Sequence, residues 1–164
     1  MLKFPSEALT TLPMKAEANR GTTPLKRILP LSHCPGAWFC LHLSMDAFTS
    51  FIGRYVKGAK CGAFSGKASS LRYIGTMVGD VHRTLLYGGI FFYPKDKKDG
   101  KGKLRHLYEC GPMAHTMSLA GGAASTGTED VLVLQPSSIH GRIPIWIGSK
   151  LDVEDAERMY REHP

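Results

Sequence analysis

Gly88-Gly89, followed at once by Ile90-Phe91-Phe92-Tyr93 and closed by Pro94, constrains this chain more than any other stretch of its 164 residues. Paired glycines end a helix because they accept left-handed backbone that side chains resist, and a short apolar run stopped by proline reads as a buried strand. Upstream, Met77, Val78, Val81 and Leu85 share one face of Gly75–Tyr87, which predicts the helix that the glycines terminate. A helix that runs straight into a buried strand requires a sheet with helices packed on it.

The same alternation extends in both directions. Phe48, Phe51, Ile52, Tyr55 and Val56 recur at helical spacing, with Ser44 or Asp46 available as the N-cap, and Cys61–Ser70 is loop chemistry. A further helix is predicted over Leu104–Ala120, with Leu107, Cys110, Ala114 and Met117 inward, an interruption at Pro112 and a stop at Gly121-Gly122. Val131–Leu134 and Ile143–Ile147 read as strands, and a last helix over Leu151–Arg161 carries a Ser149-x-x-Asp152 capping signal. The class is a layered α/β fold, long enough for one domain with its own core.

Residues 1–45 stand apart. They hold five prolines, no sustained periodicity and one short apolar stretch at Ala37–Leu43, too late and too short for a signal-peptide core. They read as an irregular leader, with the folded unit running over residues 46–164. No apolar run approaches the roughly 20 residues that cross a bilayer, so no membrane association is expected.

The net charge of +7 lies wholly in residues 1–79, where Glu7, Glu17 and Asp46 are the only acids; residues 80–164 balance. Those bases are dispersed and lack interleaved aromatics, which argues against a nucleic-acid partner. Cys34, Cys40, Cys61 and Cys110 contain no C-x-x-C and no paired histidine spacing, so neither a structural zinc site nor a disulfide framework is expected. The seven histidines accompany no nucleophile motif, and neither a Walker loop nor a G-x-G-x-x-G occurs.

Phosphate recognition is the chemistry the residues offer most readily. Arg72-Tyr73 ahead of Gly75-Thr76 at a helix start, with Tyr93 at a strand end and Lys103 after a glycine loop, supplies cations, phenols and amides. By spacing alone these also read as a surface cation, core aromatics and a solvated lysine within the charged loop 95–105. Glu109 is the isolated acid of an apolar helical stretch, and one carboxylate does not make a magnesium site.

The run LRYIGTMVGDVHRTLLYGGIFFYPKDKKDGKGKLRHLYECGPMA resembles the C-terminal region of the fructose-1,6-bisphosphatase family, continued by AGGAASTG, VLVLQPSSIHGRIPIWIGS and DVEDAERMY. The resemblance is close over 71–164 and looser over 46–70. It implies a sugar-phosphatase-type fold, its C-terminal part only, and a Mg²⁺-dependent hydrolysis of fructose 1,6-bisphosphate to fructose 6-phosphate and phosphate in a homotetramer. It further implies that Arg72, in R-Y-x-G, reaches the 6-phosphate bound by a neighbouring subunit, that Tyr73 and Tyr93 bond that phosphate, and that Lys103, in G-K-L-R, binds substrate. Gly75, Thr76 and Met77 correspond to the segment lining the sugar, with Thr76 in place of the usual serine, and Glu109, in L-Y-E-C, to a metal ligand. The Tyr87-Gly88-Gly89 and Tyr93-Pro94 pattern fits the fructose enzymes better than the related sedoheptulose bisphosphatases.

Several family features have no counterpart here: the D-P-x-D-G-S-S metal motif, the upstream paired glutamates, the N-E-G-Y segment and the AMP-binding domain. The expectation is therefore a truncated member, inactive alone, with a non-catalytic sugar-phosphate-binding or tetramer-interacting fragment as the alternative. A cytoplasmic location is expected, with plastid as the alternative. His106 stands where the family has an apolar residue, and strained packing is expected there.

Overall fold

The computed structural model describes residues 38–41, 50–64, 66–95 and 102–162. Its main sheet has five strands in the order β2-β1-β3-β7-β5, with β1 at Trp38–Leu41, β2 at Ser70–Arg72, β3 at Gly89–Tyr93, β5 at Ala123–Ser125 and β7 at Ile145–Gly148. β1 runs parallel to both β2 and β3, while β7 is antiparallel to β3 and to β5. A separate two-stranded ribbon joins β4, Leu104–Arg105, to β6, Arg142–Ile143. Helices α1 (Ser50–Cys61), α2 (Met77–Tyr87), α3 (Gly111–Leu119) and α4 (Lys150–Glu162) complete the α/β arrangement.

Side-chain alternation along β3 and β7 divides the interior into two cores. Phe91, Ile145 and Ile147 turn to one face and meet Val81, Cys110, Ala114, Met117 and Val131. Ile90, Phe92 and Trp146 turn to the other and meet Phe51, Ile52, Tyr55, Val153 and Ala156. The second core is dominated by rings: Phe51 stacks on Trp146 at 5.2 Å between centroids, and Tyr160 meets both edge-on. Gly88 and Gly89 adopt φ of 75° and 94°, and the Gly88 amide bonds to the Thr84 carbonyl, so the glycine pair ends α2 as its chemistry requires.

Four expectations need correction. Residues 38–41, assigned above to the irregular leader, form β1 between β2 and β3. The strand expected over Val131–Leu134 does not form: the Asp130 carboxylate accepts from the Leu132 amide at 2.8 Å and turns the chain, burying Val131 while leaving Val133 67% exposed. The strand over Ile143–Ile147 divides at Pro144, which has no amide to donate, so Ile143 pairs in the ribbon and Ile145 in the main sheet. The helix over Leu104–Ala120 begins as β4 and then a π-helical turn, His106–Cys110, before α3 starts with Pro112 in its first turn. The wider turn rotates Leu107 outward to 49% exposure and carries His106 inward. Its imidazole Nε2 lies 3.3 Å from the Val131 carbonyl, so the buried histidine has a polar partner. The N-cap positions Ser44 and Asp46, and residues 96–101 of the charged loop, lie outside the described residues.

Candidate functional site

Because β1 is parallel to both its neighbours, the carboxyl ends of β2, β1 and β3 open on the same edge of the sheet. The register sets Cys40 of β1 opposite Arg72 of β2 and Phe91 of β3, so Tyr93 lies two residues further along the same direction. This is the edge at which open α/β sheets bind ligands. Arg72 ends β2 there, and Tyr73, 49% exposed, begins the loop to α2. Gly75 turns that loop at φ 94°, Thr76 is the N-cap of α2, and Met77 opens the helix while packing on the first core.

Lys103 reaches the same edge by another route. Tyr93 pairs with Ile145, and Ile143, two residues before it, pairs with Leu104. A Cβ on Gly102 would lie 1.9 Å from the Ile143 carbonyl carbon, so only glycine lets the chain cross here and place Lys103 beside the end of β3. The fold thus brings Arg72, Tyr73, Gly75, Thr76, Met77, Tyr93 and Lys103, drawn from two strands, two loops and a helix start, to one sheet edge. Tyr73 has its phenol pushed above the ordinary value, by partial burial first and by the Asp80 charge second. It remains a hydroxyl donor at any physiological pH.

Glu109 sits in the π-helical turn that follows the ribbon. Its Oε2 accepts the Arg105 amide at 2.6 Å and its Oε1 lies 3.7 Å from the Arg105 guanidinium. No group of three or more histidine, cysteine or acidic side chains that could hold a metal ion occurs among the described residues. Glu109 with its oxygens engaged by Arg105 does not fit a divalent-metal site by itself, and no step of chemistry through a metal is assigned to these residues.

Sequence reasoning missed three contributors to this region. Arg105 stacks over the Tyr108 ring at 5.6 Å, and Tyr108 in turn bonds His140 through its hydroxyl at 3.0 Å, tying the loop before β6 to the π-helical turn. The third is Asp80, fully buried, whose Oδ1 accepts the Ile74 amide at 3.0 Å. An acid in the first turn of a helix reads as a favourable partner of the helix dipole, and only the folded loop shows that its carboxylate reaches back six residues.

A family model described as the C-terminal domain of fructose-1-6-bisphosphatase matches residues 37–161. A chloroplastic fructose-1,6-bisphosphatase of Pisum sativum is 53% identical over 107 residues, covering 65% of this chain and 26% of the pea protein. A cytosolic one from Brassica napus is 55% identical over 109 residues, 66% of this chain and 32% of its own length. Fructose-1,6-bisphosphatase 1 of Mus musculus is 46% identical over 116 residues, 71% of this chain and 34% of its own. The chain thus spans between a quarter and about a third of the length of these curated relatives. Among the described residues no helix is long and apolar enough to cross a membrane.

Proposed function

Because the chain belongs to the fructose-1,6-bisphosphatase family through that C-terminal domain, we propose that it binds the phosphorylated end of a fructose phosphate at the carboxyl edge of its sheet. The convergence of Tyr73, Tyr93 and Lys103 on that edge carries the reading, with Arg72 on the same edge available to the phosphate held by a neighbouring subunit. A guanidinium offers paired donors matched to phosphate oxygens, the two phenols donate neutral hydrogen bonds, and the lysine adds a point charge. Gly75, Thr76 and Met77 would present main chain to the sugar. In the whole enzyme of the family this grip serves hydrolysis of the 1-phosphate: binding energy spent on the remote phosphate holds the reacting one in place.

The hydrolytic step is not assigned to these residues alone, since it calls for Mg²⁺ and Glu109 is the single carboxylate they bring to it. We propose that the isolated chain binds substrate and product without turning them over. Turnover would require further acidic ligands delivered from elsewhere, and assembly with family subunits into a tetramer is the way such a chain would meet them. The proposed location is the cytoplasm, with the plastid as the alternative, in keeping with the cytosolic and chloroplastic names of its relatives.

Calorimetric titration of the purified chain with fructose 6-phosphate, beside fructose and inorganic phosphate, tests the grip. Binding of the sugar phosphate is expected, weakened by added salt and reduced about tenfold or more by Lys103→Ala, the loss of a charge-assisted pair. An affinity equal for fructose and fructose 6-phosphate would sink the reading. A phosphate-release assay with fructose 1,6-bisphosphate and Mg²⁺ should stay at background for the chain alone; steady release would assign it catalysis instead.

A further inference from the structure

The loop from Tyr73 to Thr76 is exposed along its whole length, yet it must hold Tyr73 and the Gly75-Thr76 main chain in one position if they are to grip a phosphate. What holds it lies beneath it. Asp80 has no exposed surface, its Oδ1 accepts the Ile74 amide at 3.0 Å, and its Oδ2 is buried with no hydrogen-bond partner among the described residues. A buried carboxylate oxygen without a partner costs free energy, and a site keeps such a group where its other oxygen does something a neutral side chain would do less well. The main chain of Asp80 is fixed as well: its amide donates to the Thr76 carbonyl at 2.9 Å, and its carbonyl accepts the Thr84 hydroxyl at 2.9 Å.

One residue before it, Gly79 provides the other half of the support. A Cβ there would stand 3.1 Å from Cγ2 of Thr76 and 3.3 Å from Cγ2 of Ile74, so the bare helix surface is what lets these two side chains close down over it. Thr76 makes no side-chain cap to α2, so the usual N-cap bond is not what fixes the loop. The loop is folded back on the first turn of α2 between a carboxylate that takes its amide and a glycine that makes room for its side chains.

We propose that Asp80 is a positioning residue for sugar-phosphate binding, acting through the Ile74 amide to set Tyr73 on one side and Gly75-Thr76 on the other. The inference rests on the binding reading above. Asp80 touches no ligand; it stands behind the loop, and a charged acceptor holds an amide more firmly than a neutral one does.

Two measurements on the full chain test this. Hydrogen exchange of the unmodified protein, read residue by residue by NMR, should show the Ile74 amide protected at least a hundredfold although its side chain is exposed. Exchange at the rate of an unstructured amide overturns the proposal whatever any variant does. In calorimetry with fructose 6-phosphate, Asp80→Ala should lower affinity tenfold or more, while Asp80→Asn, which keeps an oxygen for the Ile74 amide but not the charge, should fall between Asp80→Ala and the unmodified chain. Leu85→Ala, which removes packing on the first core from the body of the same helix, should lower the melting temperature and leave affinity within twofold. Affinity that simply follows melting temperature through all three variants means Asp80 is only structural, and overturns the proposal. Failure of the unmodified chain to bind fructose 6-phosphate would instead remove the binding reading, and this inference with it. Binding that Asp80→Ala leaves unchanged removes the inference alone.

Discussion

Cys61 and Cys110 are the two described cysteines whose side chains can be compared, and their surroundings separate them completely. Cys61 ends α1 in solvent, whereas Cys110 is fully buried between the π-helical turn and α3. Burial first, then the neighbouring Glu109 charge, pushes the Cys110 thiol up to about 12, with a main-chain hydrogen bond offsetting part of the effect. A thiol is reactive only as thiolate, so iodoacetamide at pH 8 should alkylate Cys61 within minutes and leave Cys110 unmodified until denaturant is added. Peptide mass spectrometry reads the two sites separately, and equal labelling in the native protein would contradict the packing of α3. The same shift has a consequence for stability. The folded state holds the Cys110 proton more tightly than the unfolded state, so its contribution is complete below about pH 9 and declines as pH rises toward about 12. Tyr55, buried and raised in the same direction, adds to that alkaline decline.

Among the elements, what the sequence disclosed and what it concealed divide along a physical line. Helices α1, α2 and α4 and strand β3 were legible because each is specified locally: apolar residues at one period, glycine at the stop, proline beyond the strand. The elements that were misread are decided by partners distant in sequence. Val131 is as apolar as a strand requires, but the Asp130 turn captures the chain first. The π-helical turn carries no periodic mark of its own, and its extra residue exchanges the inward positions of Leu107 and His106. The sheet edge as a candidate site was legible as residue types from Arg72 to Lys103, but not as a place, because β1, which levels β2 with β3, is only four residues long. His106 gives the element scale its prediction. His106→Ala removes a buried ring and leaves the Val131 carbonyl without that partner, and should cost about 2 kcal/mol in urea unfolding. His140→Ala breaks an exposed bond to Tyr108 and should cost under about 0.5 kcal/mol. Equal losses would mean that the π-helical turn is not anchored through its histidine.

At the scale of the whole molecule, the two cores are separated by one sheet and share its strands. Phe91 and Phe92 are neighbours in β3 yet belong to opposite cores, as Ile147 and Trp146 do in β7. No side chain of one core is needed to fill the other, but neither core survives without the main-chain ladder that joins β3 to β7. The ladder makes the cores one cooperative unit, and two-state unfolding follows if the coupling through it exceeds the difference between their own stabilities. Trp146 reports from the aromatic core, and Met117 is fully buried in the other. In a chain with Trp38→Phe, so that Trp146 is the sole indole, Met117→Ala should destabilise by about 2–5 kcal/mol, the range for emptying a buried long side chain. The Trp146 fluorescence transition in urea should shift by the full amount, coincident with the loss of helical circular dichroism. If Trp146 holds its original midpoint while part of the helix signal melts early, the faces unfold separately. The carboxyl edge that bears Arg72 and Tyr93 would then straddle two units of unequal stability, and the phosphate grip would fail at the lower midpoint, before the aromatic core does.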